Sequence, residues 1–239
     1  MSDPAAAGNI SLLLGQPTLL AQPNGSLTGV LFIASVGLAG ACLSLLAEFL
    51  IQRTLPRLGG PLTARMRLTT AAATFALSVL LAWRFGASPE LPAYILLAVA
   101  GVQLARIDII HRLLPNRMVL PLLGAGLVLL GAATGVSGEV GSLLRGVAGA
   151  LILFVLYLFL ALTSRNGLGM GDVKLAAPLG LYLGYLGWSQ LFYGGALGFV
   201  AGGVASTLTV LKNRGNTPKE VPYGPSMLTS GLAIILLLP

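Results

Sequence analysis

The sequence predicts an all-α, polytopic transmembrane helical bundle of about eight spans, and three observations carry that prediction. First, 56% of the residues are hydrophobic and only 9% are charged, with a mean hydropathy of +0.90. A soluble domain normally carries about 25% charged residues, so this chain has too little charge to keep its surface wet. Second, the apolar residues come in runs close to the roughly 20 residues needed to cross a bilayer. Third, the charges gather in short connections between those runs. Lipid forbids open sheets and exposed loops at depth, which leaves helices packed against helices.

Taken in order, the apolar runs predict helices over 28–51, 67–85, 91–108, 117–135, 142–163, 174–187, 189–211 and 225–238. The sixth and eighth are short and need not match the lipid thickness if they pack inside the bundle. Residues 1–26, scattered with Pro, Asn, Gly and Gln and lacking the basic start of a signal peptide, are expected to form an extracytoplasmic tail. One membrane-embedded domain then occupies 27–239, since no tandem repeat or low-complexity stretch divides it.

The net charge of +7 and pI near 10.1 do not point to nucleic acid, because the basic residues sit in short loops. Arg53, Arg57, Arg65 and Arg67 follow the first run, Arg106, Arg112 and Arg117 flank the third connection, Arg165 and Lys174 the fifth, and Lys212, Arg214 and Lys219 fill the seventh. Only Arg84 and Arg145 fall on the other side. The positive-inside rule therefore makes the odd-numbered connections cytoplasmic and places both termini outside. It also sets basic groups beside anionic lipid headgroups.

Cys42 is the one cysteine, so neither an internal disulfide nor a CxxC zinc site is available. It reads as a small buried hydrophobe. No metal and no cofactor are expected. Glycines spaced by four, such as Gly198 and Gly202 followed by Ser206, are expected to let helices approach closely.

Of seven carboxylates, Glu48, Asp108 and Asp172 lie in or beside spanning runs. Each costs roughly 2.5–3.5 kcal/mol at a helix centre on insertion scales, so it normally faces a partner or a polar cavity. All three fall toward the cytoplasmic ends of their helices, where one water-accessible cavity could serve them together. Asp172 ends the run Gly169-Met170-Gly171-Asp172 and precedes Val173-Lys174-Leu175. Glycines here let another chain approach the backbone closely; a helix-capping role for the aspartate is the plainer alternative. Asp108 sits where an apolar helix meets the basic loop up to Leu114-Pro115-Asn116, and pairing with Arg106 or Arg112 is its plain alternative. His111 reads as a solvated loop residue. Pro222-Tyr223-Gly224-Pro225 forms a rigid turn before the last run.

Together these three segments resemble the type IV prepilin leader peptidase family, within the wider GxGD class of membrane aspartyl proteases. The aspartate followed by Pro-Asn matches Asp108 with Pro115 and Asn116. The GxGD motif running into a lysine matches Gly169, Gly171, Asp172 and Lys174, and the Pro-aromatic-Gly-Pro turn matches Pro222, Gly224 and Pro225. The resemblance covers about residues 105–230. It implies a bacterial inner-membrane enzyme of the type IV pilus or type II secretion kind, cutting the basic leader from prepilin or pseudopilin substrates at the cytoplasmic face. Asp108 and Asp172 would be the catalytic pair, and the other matching residues would shape the site. Like charges held close cannot easily both ionise, so such a pair is expected to share a proton.

The chain also departs from the family. Many members carry a cysteine-containing cytoplasmic insert associated with N-methylation, whereas here Arg53 to Arg67 is short and has no cysteine. The first-helix pattern is looser, with Glu48 in a stretch that the family usually fills with other residues; packing and substrate contact remain equal readings for it. Two rival functions are a proton-coupled transporter, which predicts internal repeats, and an inactive scaffold for pilus assembly.

Overall fold

The computed structural model describes residues 27–54, 63–163, 169–212 and 223–238. The tail 1–26, most of the short Arg53–Arg67 connection, and Pro222 lie outside the described residues. Eight helices are present among those described: α1 Leu27–Thr54, α2 Ala64–Phe85, α3 Leu91–His111, α4 Asn116–Ser137, α5 Val140–Thr163, α6 Met170–Leu186, α7 Trp188–Lys212 and α8 Gly224–Leu237. Each predicted run corresponds to one of them, and no strand interrupts them among the described residues. By length and composition, α1 to α5 could each cross a membrane, and α8 is a shorter apolar helix.

The packing is that of a membrane protein. On α1, Leu38 is 63% exposed and Phe49 58%, while Ser44 is 1% and Glu48 3% exposed. Facing them on α2 are buried Thr70, Thr74 and Ser78. Small and polar residues thus form the α1–α2 seam and large apolar ones face outward. This is the order expected where lipid is as apolar as leucine and close backbone approach drives association. The chain is an all-α, multi-pass membrane protein. Cys42 is exposed on this outer surface of α1, which corrects the expectation that it is buried. An apolar thiol costs little against lipid, so burial inside the bundle is not required.

α3 and α6 form the centre. Tyr94, Leu97 and Leu104 of α3 and Leu175, Tyr182 and Leu183 of α6 belong to one buried core. The Tyr94 hydroxyl donates to the Tyr182 carbonyl at 3.0 Å. α5 lies close along α6, and a Cβ added at Gly184 would meet the Arg145 carbonyl at 2.8 Å. The glycine pattern on α7 also serves packing, with Gly198 against Met227 and Gly202 beneath the Tyr223 ring of the α8 entry.

Arg145 lies in the second turn of α5, inside the run predicted as helix. Its guanidinium donates to the carbonyls of Gly184 and Tyr185 at 2.8 Å each and of Leu186 at 3.3 Å. It thereby satisfies the open carbonyls at the α6 carboxyl end. Arg84 does likewise for α8, donating to Leu238 at 2.8 Å. Both outer arginines are helix caps.

Candidate functional site

The opposite end of the bundle gathers the three sequence motifs. α3 ends at His111, and Arg112 closes it in the left-handed region at φ 52°, its N–H donating to the Asp108 carbonyl at 2.8 Å. The chain then turns sharply, with Pro115 extended as the N-cap of α4 and Asn116 as its first residue. His111 is exposed, as a solvated residue should be.

Asp108 is 4% exposed. Its Oδ2 accepts the backbone N–H of Gly224 at 3.1 Å, across to the first residue of α8. Neither Arg106 nor Arg112 pairs with it among the described residues; Arg106 instead faces Glu48. The plain alternative for Asp108, an interfacial ion pair, is therefore not the arrangement present. Pro225 follows Gly224 in the first turn of α8, where its missing N–H costs nothing.

Asp172, 6% exposed, lies in the first turn of α6. Its own N–H donates to the Gly169 carbonyl at 3.0 Å, and its Oδ2 accepts from the Gly169 N–H at 3.3 Å. Capping is thus one thing this aspartate does.

Leu114 joins the two aspartate loops. A Cβ at Gly171 would stand 2.9 Å from the Leu114 Cβ, and one at Gly224 would stand 3.3 Å from the Leu114 Cδ1 and 2.7 Å from Asp108 Oδ2. Both glycines are required by close approach, one on each side of a single leucine. Lys174, two residues past Asp172, donates to Asn116 Oδ1 at 3.0 Å and ties α6 to the start of α4. Asp108, Pro115, Asn116, Gly169, Gly171, Asp172, Lys174, Gly224 and Pro225 therefore occupy one end of the bundle, linked through these contacts.

Glu48 does not join them. Its carboxylate pairs with Arg67 Nε at 2.9 Å and faces Arg106 NH1 at 3.7 Å. Arg106 and Asp108 are two residues apart, about 200° round the helix, so the two acids use opposite sides of α3. This corrects the expectation of one cavity shared by all three. Sequence reasoning gave no role to Leu114, whose apolar character inside a polar loop was the available signal. It also missed the cluster around Glu48, whose members come from three helices. Among the described residues no group of three His, Cys, Asp or Glu side chains converges as a metal site would require.

Residues 94–207 match the model of the type IV leader peptidase family. That span holds the Asp108 and Asp172 motifs; the turn at 222–225 lies beyond it. The chain is 35% identical over 161 residues to a prepilin leader peptidase/N-methyltransferase of Stutzerimonas stutzeri, covering 67% of this chain and 54% of that one. It is 32% identical over 166 residues to the protein of that name from Pseudomonas aeruginosa, covering 69% and 56%. With the Aeromonas hydrophila protein the figures are 34% over 182 residues, 74% and 59%. The chain thus spans between 54% and 59% of the length of these relatives. No solved structure matches it. With both aspartate loops inside the matched span, residues 94–207 of this chain belong to the type IV leader peptidase family.

Proposed function

We propose that the chain is an aspartyl endopeptidase that removes the basic leader from prepilin-like or pseudopilin substrates, with Asp108 and Asp172 as its catalytic pair. The observation that carries this reading is the junction at Leu114. Two buried carboxylates from motifs 64 residues apart are anchored to glycine-lined backbone on either side of one side chain. Ion pairing, the usual reason for an acid at a membrane interface, does not account for Asp108.

The chemistry needs no covalent intermediate. One carboxylate, ionised, takes a proton from water as the water oxygen attacks the scissile carbonyl. The other, protonated, gives its proton toward the carbonyl oxygen, and collapse of the tetrahedral species expels the amine with a proton returned from the dyad. Gly171 and Gly224 leave the room that Leu114 and the Asp108 carboxyl occupy, so the two acid-bearing loops close on one leucine. Lys174 and Asn116 hold the two loops at a fixed spacing.

In this reading residues 27–239 form one peptidase domain of a bacterial inner membrane. The distribution of twelve of its fourteen basic residues supports a cytoplasmic-facing site. Purified protein mixed with a synthetic prepilin should yield a product shortened by the leader. An unchanged substrate, with the protein folded, would sink the assignment. A proton-coupled transporter draws no support from the residues of this site, and two intact aspartates argue against an inactive scaffold.

A further inference from the structure

Glu48 is the buried acid that the proposed chemistry leaves unused. Its Oε1 receives Arg67 Nε at 2.9 Å and Gln52 Nε2 at 3.4 Å. Its Oε2 faces Arg106 NH1 at 3.7 Å, and neither of those two atoms has a hydrogen-bond partner among the described residues. The Arg106 side chain is only 10% exposed. The attraction between them is therefore a poorly screened charge pair, stronger here than it would be in water.

One turn away lies a second polar contact between the same helices. Gln103 Nε2 donates to both the carbonyl and the hydroxyl of Ser44 at 3.1 Å, and Thr74 adds its hydroxyl to Ser44 at 3.3 Å. Gln103 and Arg106 share one face of α3, and Ser44 and Glu48 share one face of α1. A directional hydrogen bond and a buried charge pair a turn apart restrain both the rotation and the axial register of a helix, which smooth apolar packing does not. Rotation matters because Asp108 projects from the opposite side of the same turn. A carboxyl about 5 Å from a helix axis moves by about 2 Å when the helix turns ~20°. Such a move is large against the 3.1 Å contact with Gly224.

We propose that Glu48, acting through Arg106, is a positioning residue that sets the rotation and register of the α3 end bearing Asp108. The inference rests on Asp108 serving in catalysis, and its test separates the two. Glu48→Gln, Arg106→Gln, their double, Arg106→Lys, Arg67→Gln and Asp108→Asn would be purified and assayed on a synthetic prepilin, with thermal unfolding followed in parallel. Glu48→Gln and Arg106→Gln should each lower kcat roughly tenfold to a hundredfold, the scale of a small misplacement, with KM within about twofold. The double should be no worse than either single. Arg106→Lys, which keeps the charge, should recover most of kcat, and this variant carries the test if the glutamine variants do not accumulate. Arg67→Gln, which breaks the shorter pair on α2, should lose stability and keep kcat. Unchanged kcat in Glu48→Gln and Arg106→Gln beside an inactive Asp108→Asn would overturn the proposal alone, as would an equal kcat loss in Arg67→Gln. An active Asp108→Asn would overturn the catalytic reading beneath it.

Discussion

Replacing Gly224 with alanine tests the contact that joins α3 to α8. The backbone there is not in the left-handed region, so alanine is conformationally acceptable. As a helix residue it is favoured over glycine by at most about 1 kcal/mol. Its Cβ, however, would stand 2.7 Å from Asp108 Oδ2 and 3.3 Å from both Asp108 Cγ and Leu114 Cδ1. The leucine methyl can swing aside, but the carboxyl must rotate and give up the 3.1 Å bond from the Gly224 N–H. A hydrogen bond to a charged group contributes about 1.5–3 kcal/mol. At about 1.4 kcal/mol per decade of rate, kcat should fall roughly tenfold to 150-fold. Prepilin cleavage rates and thermal unfolding in the same detergent should show a slow enzyme that is also less stable, by about 0.5–2 kcal/mol once the helix gain is set against the lost bond. Wild-type turnover in Gly224→Ala would refute the claim that this contact orients Asp108.

On the other side of Leu114, Gly171→Val should abolish cleavage while the protein still inserts, and Leu114→Gly should partly restore a Gly171→Ala variant by removing the Cβ that stands at 2.9 Å; normal processing by Gly171→Val would remove the close-approach argument. Arg145→Met should cost about 2–4 kcal/mol of stability through three lost charge-assisted bonds to the α6 carboxyl end. It should leave kcat per folded molecule intact, because about 21 Å of helix separates that end from Asp172; the check is unfolding temperature against turnover. Cys42→Ser should cleave at the wild-type rate and zinc chelators should have no effect. Mass spectrometry should find the new product N-terminus unmethylated, and a methylated product made by this protein alone would contradict the reading.

The spans were legible because lipid leaves little choice: an apolar run of the right length must be a helix whose backbone bonds close within it. The two aspartate loops were legible because glycine and proline beside an acid have few structural reasons to occur together. What the sequence did not disclose is rotation. Apolar residues cover all sides of α1, so nothing in their order says which face meets α2, and Cys42 was accordingly placed inside when it lies outside. The same ambiguity grouped Glu48 with the aspartates, although Arg106 and Asp108 point to opposite sides of α3. Arg145 reads from the sequence only as an outer charge inside the 142–163 run, and the packing of α5 on α6 shows the carbonyls that its guanidinium satisfies. Leu114 escaped notice because a leucine carries no chemistry until two glycines are found against it.

The most direct test of the aspartyl dyad is prepilin processing by Asp108→Asn, Asp172→Asn and the double variant, with membrane abundance measured on the same samples. Asparagine keeps the size of each side chain and can still meet the Gly224 and Gly169 amides through its carbonyl oxygen. It cannot, however, exchange a proton with water. Each single variant should lose cleavage by roughly a hundredfold to ten-thousandfold at near-normal abundance. The double should be no worse than either, because members of one catalytic unit are not additive. Substantial cleavage by Asp108→Asn at normal abundance would contradict the account, leaving Asp108 a structural acceptor for α8 and the dyad without its second member.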